Sequence, residues 1–385
     1  MPMTTKLPGK VALAAGGTGG HIFPAQALAR ELLSRGIAVA LVTDARGGGF
    51  GSDLAKVETF RIAAGAMAGA GIVKQLRSVA ALGLGYLQAR GHLKRCGAEA
   101  VVGFGGYPSV PTVLAGAHRG LRVVLHEQNS VLGRANRMLA GRARIIATCF
   151  DKVEGVAPGD RDKLRLTGNP VREAVAAVGN HPYVGPGAGE ALHLLVVGGS
   201  QGARVFNEVV PAAVARLPEN LRRRLIVHQQ VPGDAGAAVA KLYDACGVRH
   251  HLAPFFTDVP QRLAAAQLVI SRAGASTVAE LAAAGRPSVM VPYPSATDDH
   301  QTGNAQALVE AGGGWLMPQE NLDAANLAGR LASLLENPAL LARAAGCARA
   351  AAHLNAARDL ADLVCGIANG DGQPAQANDD KEAAA

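Results

Sequence analysis

The chain has 385 residues, 49% of them hydrophobic and 18% charged, so it is long enough for two domains that each bury a core. Its 48 glycines form clusters without a regular repeat, which excludes a collagen-like chain. Residues 1–175 carry 23 Lys and Arg against 11 Asp and Glu, whereas the remainder carries 15 against 19. The basic half is therefore expected to face an anionic partner. Nucleic acid is disfavoured, because the cations are not interleaved with aromatic residues and no nucleic-acid-binding motif is present.

Apolar runs of the kind that form β-strands alternate with helix-length segments along the chain. Strands separated by helices predict parallel sheets built from βαβ units. The sequence therefore predicts an α/β fold of two Rossmann-like domains that face each other across a cleft. The predicted strands are Val11–Ala15, Ala38–Thr43, Ala100–Val102, Val123–His126, Ile145–Ala147, Leu192–Val197, Leu225–His228, Leu268–Ser271 and Ser288–Val291.

A segment rich in glycine and proline, "VGNHPYVGPGAGEA" (178–191), separates the two series of strands and is predicted to be the interdomain linker. It divides an N-terminal domain, residues 1–177, from a C-terminal domain, residues 192–349. The last predicted helix, residues 350–365, is expected to join the N-terminal domain. The small, polar end of the chain, residues 366–385, is predicted to be a disordered tail.

Three glycine-rich loops each follow a predicted strand: "GGTGGH", "GFGGYPS" and "GGSQGA". Such loops place backbone N–H groups at a helix start, where the helix dipole favours anions, so they predict a phosphorylated ligand. None has the GxGxxG spacing of dinucleotide enzymes or the GxxxxGK[ST] spacing of P-loop NTPases. The five cysteines lack CxxC spacing, so no zinc site is predicted.

Two side chains at strand ends are candidates for acid–base chemistry. His21 stands at the mouth of the first glycine loop, where it caps the helix, packs beneath the loop or takes a proton from a hydroxyl. Glu127, in "HEQN", also ends a strand, and it is a base, a ligand for substrate hydroxyls or neither. His21 is the preferred base, because an imidazole titrates near neutral pH whereas the pKa of a glutamate must first be raised.

Two helix starts in the second half of the chain carry further candidates. In "GASTVAE", Thr277 and Glu280 have the spacing of a capping box, but the same helix start can face a phosphate while Glu280 binds two ribose hydroxyls. Both interpretations are open. In "DDHQTGNA", adjacent acids and a histidine do not share a helix face, so no metal site is predicted. Gln301 and Asn304 do share a face and can reach a sugar.

The segment Ile72–Leu93 is predicted to be a helix with an apolar stripe that is edged by Lys74, Arg77 and Arg90. Such a stripe can lie on an anionic bilayer. The alternative is an ordinary amphipathic helix whose stripe faces the core. No apolar stretch free of helix breakers is long enough to span a membrane, so any attachment is expected to be peripheral.

The motifs together resemble a known family. "GGTGGHIFPA", "GFGGYPS", "HEQN", "GNPVR", "GGSQGA", "SRAGASTVAEL" and "DDHQTGNA" occur in the order found in the MurG family of glycosyltransferases, which is part of glycosyltransferase family 28. The match extends from about residue 10 to residue 365. It implies a GT-B fold and an inverting transfer without an obligatory metal or another cofactor. It also implies that the C-terminal domain holds a nucleotide sugar and that the N-terminal domain faces a lipid-linked acceptor.

The resemblance also implies roles for particular residues. His21 or Glu127 would be the general base, and the helix starts at Ser200 and Ser276–Thr277 would meet the charge of the leaving group. The residues implied to bind the donor, UDP-GlcNAc, are Thr18, Gly19, Gly20, Asn129, Arg172, Ser200, Phe256, Ala275, Ser276, Thr277, Val278, Ala279, Glu280, Gln301 and Asn304.

The implied function is transfer of GlcNAc from UDP-GlcNAc to the muramyl C4 hydroxyl of undecaprenyl-pyrophosphoryl-MurNAc-pentapeptide, the step from lipid I to lipid II in peptidoglycan synthesis. The expected location is the cytoplasmic face of the bacterial inner membrane. The expected processes are cell wall biogenesis, cell shape, cell division and the cell cycle. The expected partners are UDP-GlcNAc, lipid I, an anionic membrane surface and other cell-wall synthesis proteins. Two rival functions are a UDP-GlcNAc 2-epimerase, which needs no lipid, and a nucleotide-sugar-binding module without activity.

Overall fold

Parallel β-sheets form the frame of both halves of the chain. The computed structural model describes residues 8–16, 19–45, 50, 54–65, 72–187, 189–199 and 202–368, without the side chains of residues 72–76 and 368. Every strand pair within these residues is parallel, as expected for strands separated by helices. The strands are β1 (Lys10–Ala14), β2 (Ala38–Asp44), β3 (Glu58–Ile62), β4 (Ala100–Gly103), β5 (Arg122–Glu127), β6 (Ile145–Thr148), β7 (Leu164–Leu166), β8 (Leu192–Val197), β9 (Leu225–Gln230), β10 (Arg249–Ala253), β11 (Leu268–Ser271), β12 (Ser288–Met290) and β13 (Gly314–Leu316).

The order of the strands explains where a ligand can bind. Among the described residues, the first sheet has the order β3-β2-β1-β4-β5-β6-β7, and the second has the order β10-β9-β8-β11-β12-β13. In each sheet the chain begins in the interior, extends to one edge and then returns to build the other side. The loops after β1 and β4, and those after β8 and β11, therefore diverge at the switch points where open α/β sheets bind ligands. The described residues of the three glycine-rich loops lie at these points.

Helices connect the strands and cover the sheets. Their apolar sides supply the core, and α14 at the end of the described chain packs against α1 near its start. The helices are α1 (Gly19–Ser34), α2 (Ile72–Cys96), α3 (Ser109–His118), α4 (Arg134–Leu139), α5 (Glu173–Ala176), α6 (Arg204–Ala215), α7 (Glu219–Arg222), α8 (Gly236–Ala245), α9 (Val259–Ala265), α10 (Ala275–Ala284), α11 (His300–Glu310), α12 (Ala324–Leu335), α13 (Pro338–Ala350) and α14 (Ala356–Ala368).

The core of the first half includes the end of the chain. Val11 and Leu13 of β1 and Leu28 of α1 are buried in one cluster with Leu360 and Val364 of α14. Burial of each such side chain contributes about 1.5–3 kcal/mol, so removing α14 would expose a large part of this cluster. The second half has its own clusters around its own sheet.

The strand predictions are confirmed for the interior of both sheets, with ends shifted by at most two residues. The prediction missed β3, β7, β10 and β13. These four strands are the edges of the two sheets. An edge strand has one neighbour and is partly solvated, so it lacks the continuous apolar run that identifies a central parallel strand.

Candidate functional site

The loops at the carboxyl ends of the two sheets contact each other through Asn304 of α11. Its side chain is fully buried, and Oδ1 accepts a hydrogen bond from the backbone N–H of Ser130 (2.8 Å). Its Nδ2 donates to Oδ1 of Asn129 (3.2 Å) and to the carbonyl of Ala273 (3.1 Å). Ser130 also donates from its hydroxyl to the carbonyl of His300 (3.2 Å). Asn304 and Asn129, both predicted to bind the donor, thus join the two walls of one cleft.

His21 lies in the first turn of α1, against the second glycine loop. A Cβ added to Gly106, which has φ +71°, would lie 3.1 Å from Nε2 of His21, so a side chain there would collide with the imidazole. The residue is partly exposed, but its Nδ1 is buried and has no close hydrogen-bond partner among the described residues. Burial lowers the pKa of His21 below its ordinary value, and the neighbouring Gln128 side chain opposes this shift in part. The imidazole is therefore neutral at pH 7.

Glu127 at the end of β5 is buried, and N–H donors occupy both of its carboxylate oxygens. Oε1 accepts from the backbone N–H of Asn129 (3.0 Å) and from its Nδ2 (3.2 Å). Oε2 accepts from the backbone N–H of Gly133 (2.8 Å) and from Nδ2 of Asn136 (2.8 Å). The carboxylate thereby orders the turn that carries Asn129. Sequence analysis missed Asn136, because nothing near it marks a single asparagine in a helix as a partner of Glu127.

The start of α10 is not a capping box. The helix begins at Ala275 with Gly274 as its N-cap and without a side-chain cap, so Thr277 is already in its first turn. The capping-box interpretation is therefore wrong, because it requires the Thr side chain at the N-cap position. Glu280 instead accepts hydrogen bonds at Oε1 from Nε (2.9 Å) and Nη2 (2.8 Å) of Arg172. Two residues predicted to bind the donor are thus an ion pair.

The other predicted residues of α10 differ in what they can offer a ligand. Ala275 and Val278 are buried, so only their backbone groups can take part. Ser276, Thr277 and Ala279 are partly exposed. The N–H groups of a first turn have no partners within the helix, so this uncapped start favours an anion.

Gln301 and Arg272 shape the loop that precedes α10. Oε1 of Gln301 accepts from the backbone N–H of Ala273 (3.2 Å) and of Tyr293 (3.0 Å). Arg272 is buried and donates to two backbone carbonyls and to Oε1 of Gln319 (2.7 Å). Sequence analysis missed Arg272, although its place directly after β11 was a usable signal.

The remaining predicted donor residues are Phe256, Gly19, Gly20, Thr18 and Ser200. Phe256 is buried, and the guanidinium of Arg262 lies 4.0 Å above its ring, so its side chain does not offer a free aromatic face. Gly19 and Gly20 are the first two residues of α1. Thr18 and Ser200 lie outside the described residues.

Part of the apolar surface of helix α2 is exposed instead of packed in the core. Ala89 and Leu93 are buried, whereas Val79, Leu84 and Leu87 are 59%, 52% and 65% exposed. Arg77 and Arg90 are exposed on the same helix. The side chain of Lys74 is not among those that the structure describes. None of the described helices combines the length and apolarity needed to cross a bilayer. Within the described part of the chain, no group of three or more His, Cys, Asp or Glu side chains is arranged to hold a metal ion.

The two Rossmann-like units, whose strand ends meet at a polar cleft, have the architecture of the GT-B fold. The family models for the glycosyltransferase family 28 N-terminal and C-terminal domains match residues 11–148 and 193–364. The chain therefore belongs to glycosyltransferase family 28, and the resemblance found in the motifs is confirmed.

Relatives and a solved structure agree with this membership. A protein of Rhodospirillum centenum is 56% identical over 358 residues, which are 93% of this chain and 94% of that protein. A protein of Paramagnetospirillum magneticum is 54% identical over 365 residues, or 95% and 98% of the two chains. Both are named UDP-N-acetylglucosamine–N-acetylmuramyl-(pentapeptide) pyrophosphoryl-undecaprenol N-acetylglucosamine transferase. The crystal structure of Acinetobacter baumannii MurG is similar with a TM-score of 0.74 at 30% identity, covering 93% of this chain and 99% of that one.

Proposed function

We infer that this protein is a UDP-GlcNAc-dependent glycosyltransferase that converts lipid I to lipid II in peptidoglycan synthesis. The observation that carries this inference is the match, over almost the whole chain, to relatives that bear the name of this transferase. The two-domain fold alone would not distinguish a transferase from an epimerase, since one fold hosts many activities.

The two halves divide the substrates between them. The first half, residues 1–177 together with α14, takes the lipid-linked acceptor, and the second, residues 192–349, takes UDP-GlcNAc. The packing of α14 into the first core and the uncapped start of α10 support this division. Residues 178–191 join the two.

His21 is the general base of the proposed reaction. The C4 hydroxyl oxygen of the muramyl group attacks the anomeric carbon of GlcNAc, the bond from that carbon to the UDP oxygen breaks, and His21 takes the hydroxyl proton. A neutral, partly exposed imidazole supports this role, because it can accept a proton at pH 7. Glu127 is less suited to be the base, because four N–H groups already occupy its carboxylate. Its role is to hold Asn129 and the turn after β5.

The negative charge that develops on UDP meets helix N–H groups. The uncapped first turn of α10 offers unpaired N–H groups, and the resemblance assigns the same role to Ser200, which lies outside the described residues. Arg172 adds a positive charge beside the ribose position proposed for Glu280. Gln301 and Asn304 bind hydroxyls of the sugar, exchanging some of their present partners for it.

The protein acts at the cytoplasmic face of the bacterial inner membrane, as part of cell wall biogenesis, cell shape and division. Val79, Leu84 and Leu87 on α2, with Arg77 and Arg90 beside them, support attachment to an anionic bilayer. Such a position brings the cleft near a lipid-linked acceptor and near other cell-wall synthesis proteins.

Incubation with UDP-GlcNAc, with and without lipid I, tests the proposed function. We expect UDP release and a disaccharide product only when lipid I is present. Formation of N-acetylmannosamine without lipid would instead identify an epimerase. Saturable donor binding without turnover under both conditions would identify a binding module.

A further inference from the structure

A buried chain of polar groups beside His21 runs from Gln128 to the backbone of Gly168. Gln128 is 3% exposed and His126 fully buried. Nε2 of Gln128 donates to Nδ1 of His126 (2.8 Å) and to the carbonyl of His126 (3.0 Å). Nε2 of His126 lies 3.4 Å from the carbonyl of Gly168 and 3.5 Å from Sγ of Cys149. The reaction proposed above assigns no role to Gln128 or His126.

Two backbone carbonyls fix the direction of every hydrogen bond in this chain. A carbonyl can only accept, so the group of Gln128 that faces the carbonyl of His126 must be its NH₂ and not its oxygen. By the same rule, the ring nitrogen of His126 that faces Gly168 carries the proton. Nδ1 of His126 is then an acceptor, which is what the NH₂ group of Gln128 requires. Burial lowers the pKa of His126 to about 4, so this neutral tautomer persists at pH 7.

With both N–H groups of its amide engaged, Gln128 has only Oε1 left for His21. An amide oxygen accepts, so the imidazole nitrogen that faces it must be an N–H. The buried nitrogen of His21 is Nδ1, which has no close partner in this conformation. Nε2 instead lies against Gly106 at the glycine loop. Catalytic hydrogen bonds that are long without substrate commonly tighten in the reactive complex.

We propose that Gln128 is a positioning residue for the proton transfer: its Oε1 holds His21 in the Nδ1–H tautomer and leaves Nε2 of His21 free to take the proton of the acceptor hydroxyl. This inference rests on the proposed role of His21 as the base. His126 acts on His21 only through Gln128, by keeping the amide in one orientation. His126 is also the titratable group whose charge is coupled to that of His21, and it stays neutral.

Two replacements of Gln128 change the pH profile in opposite directions. Gln128→Met removes the acceptor, so the protonated imidazole loses support and the acidic limb of the kcat profile moves to lower pH. Gln128→Glu places a carboxylate beside the ring, and the limb moves to higher pH. We expect Gln128→Met to lower kcat by about 10- to 100-fold, as for other residues that orient a functional histidine, with KM for UDP-GlcNAc unchanged. A merely structural role would not shift the limb in two directions, so an unmoved limb in both variants overturns the proposal.

A control and a direct measurement separate this proposal from the role of His21. Thr43→Val removes a buried hydroxyl of the first sheet that has no hydrogen-bond partner among the described residues, so it should change neither kcat nor the limb. ¹⁵N NMR of histidine-labelled protein without substrate reports the tautomer itself. We expect Nδ1–H for His21 in the unmodified protein and a loss of that preference in Gln128→Met; a dominant Nε2–H form in the unmodified protein overturns the proposal. If His21→Ala keeps its acidic limb, His21 is not the base, but the NMR result still decides whether Gln128 sets its tautomer.

Discussion

The loops after β1 and β11 occupy corresponding positions in the two sheets, yet they differ in how their polar groups are satisfied. After β11, Arg272 makes three hydrogen bonds, while Gln301 and Asn304 bind the N–H and the carbonyl of Ala273. After β1, Nδ1 of His21 is buried without a close partner in the part of the chain that the structure describes. A buried polar atom that lacks its hydrogen bond costs about 1–3 kcal/mol. The unpaired Nδ1 of His21 therefore lowers the stability of the fold, whereas the paired backbone groups of Ala273 do not.

This difference teaches which wall of the cleft is preformed. A loop whose groups are all held by neighbours presents a fixed surface, as donor binding requires. A loop with an unsatisfied base can form its last hydrogen bond, which we propose is the one from Nδ1 of His21 to Gln128, when the reactive complex tightens. The following replacements test this contrast at each loop.

The largest effect is expected for His21→Ala. Removal of a general base should lower kcat by about two to four orders of magnitude, while KM for UDP-GlcNAc stays nearly constant. Burial lowers the pKa of His21, so in the unmodified enzyme kcat should fall as the pH drops through a value below the ordinary imidazole pKa. That acidic limb should vanish in the variant. Steady-state kinetics from pH 5 to pH 9 measure both quantities.

A higher acceptor KM with the acidic limb intact would contradict the assignment of His21. It would mean that the imidazole holds the acceptor pyrophosphate. Glu127→Gln would then be the next variant to examine. We expect that variant mainly to reduce stability, because two of the four N–H groups around the carboxylate would face an NH₂ group.

Glu280→Ala tests the preformed wall. Loss of charge-assisted hydrogen bonds to ribose should cost about 1.5–3 kcal/mol, which raises KM for UDP-GlcNAc by about 10- to 150-fold. Burial raises the pKa of Glu280, although Arg172 opposes the shift. Donor affinity of the unmodified enzyme should therefore weaken as the pH falls through a value above the usual carboxyl range. The pair with Arg172 is partly exposed, so the melting temperature should change little. A large loss of stability at unchanged KM would mean that Glu280 is structural.

The interior of both sheets was predictable because buried parallel strands must be apolar on both faces. The edge strands β3 (ETFRI) and β10 (RHHLA) carry charged or polar side chains on the side that water reaches, so the apolar pattern is absent there. The glycine clusters were informative for a similar local reason. Gly106 has φ +71°, and an added Cβ would lie 3.1 Å from Nε2 of His21, so both the backbone and the imidazole favour glycine there.

The contacts within the site were less predictable, because they depend on how distant segments approach each other. Arg172 and Glu280 are 108 positions apart, and nothing in either motif indicates that they pair. The position of Glu127 at the end of a strand was predictable. One of the four N–H groups around its carboxylate, however, comes from the side chain of Asn136 in helix α4. Gln128 lay within a recognised motif, yet its role follows only from two carbonyl groups whose directions the sequence does not contain.

The two halves also differ in their proposed outer surfaces, because we propose that only the first half contacts a membrane. Arg77→Ser with Arg90→Ser should weaken sedimentation with anionic liposomes by about 30-fold, since each charge near such a surface contributes about 1 kcal/mol. Activity on a short-chain, water-soluble acceptor should persist. Arg330→Ser with Arg343→Ser, two equally exposed cations of the second half, is the matched control. Equal loss in both double variants would show a nonspecific charge effect, and unchanged binding in both would remove the membrane role of α2.

The smallest effect on stability is expected for Thr277→Ala at the start of α10. Thr277 lies inside the first turn, and Gly274 is the N-cap, so its hydroxyl satisfies no orphan N–H group and its loss should change the free energy of unfolding by less than about 0.5 kcal/mol. Asp323 is a matched control, because it is the N-cap of α12 and accepts from the backbone N–H groups of Ala325 and Asn326 (both 2.8 Å). Asp323→Ala should lower the free energy of unfolding by about 1 kcal/mol. Urea titration of both variants measures the two free energies. If Thr277→Ala destabilises the protein as much as Asp323→Ala does, the helix start is capped by its own side chain and is not free for the donor. If instead stability is unchanged and KM for UDP-GlcNAc rises, the hydroxyl contacts the donor, as an uncapped anion-binding turn requires.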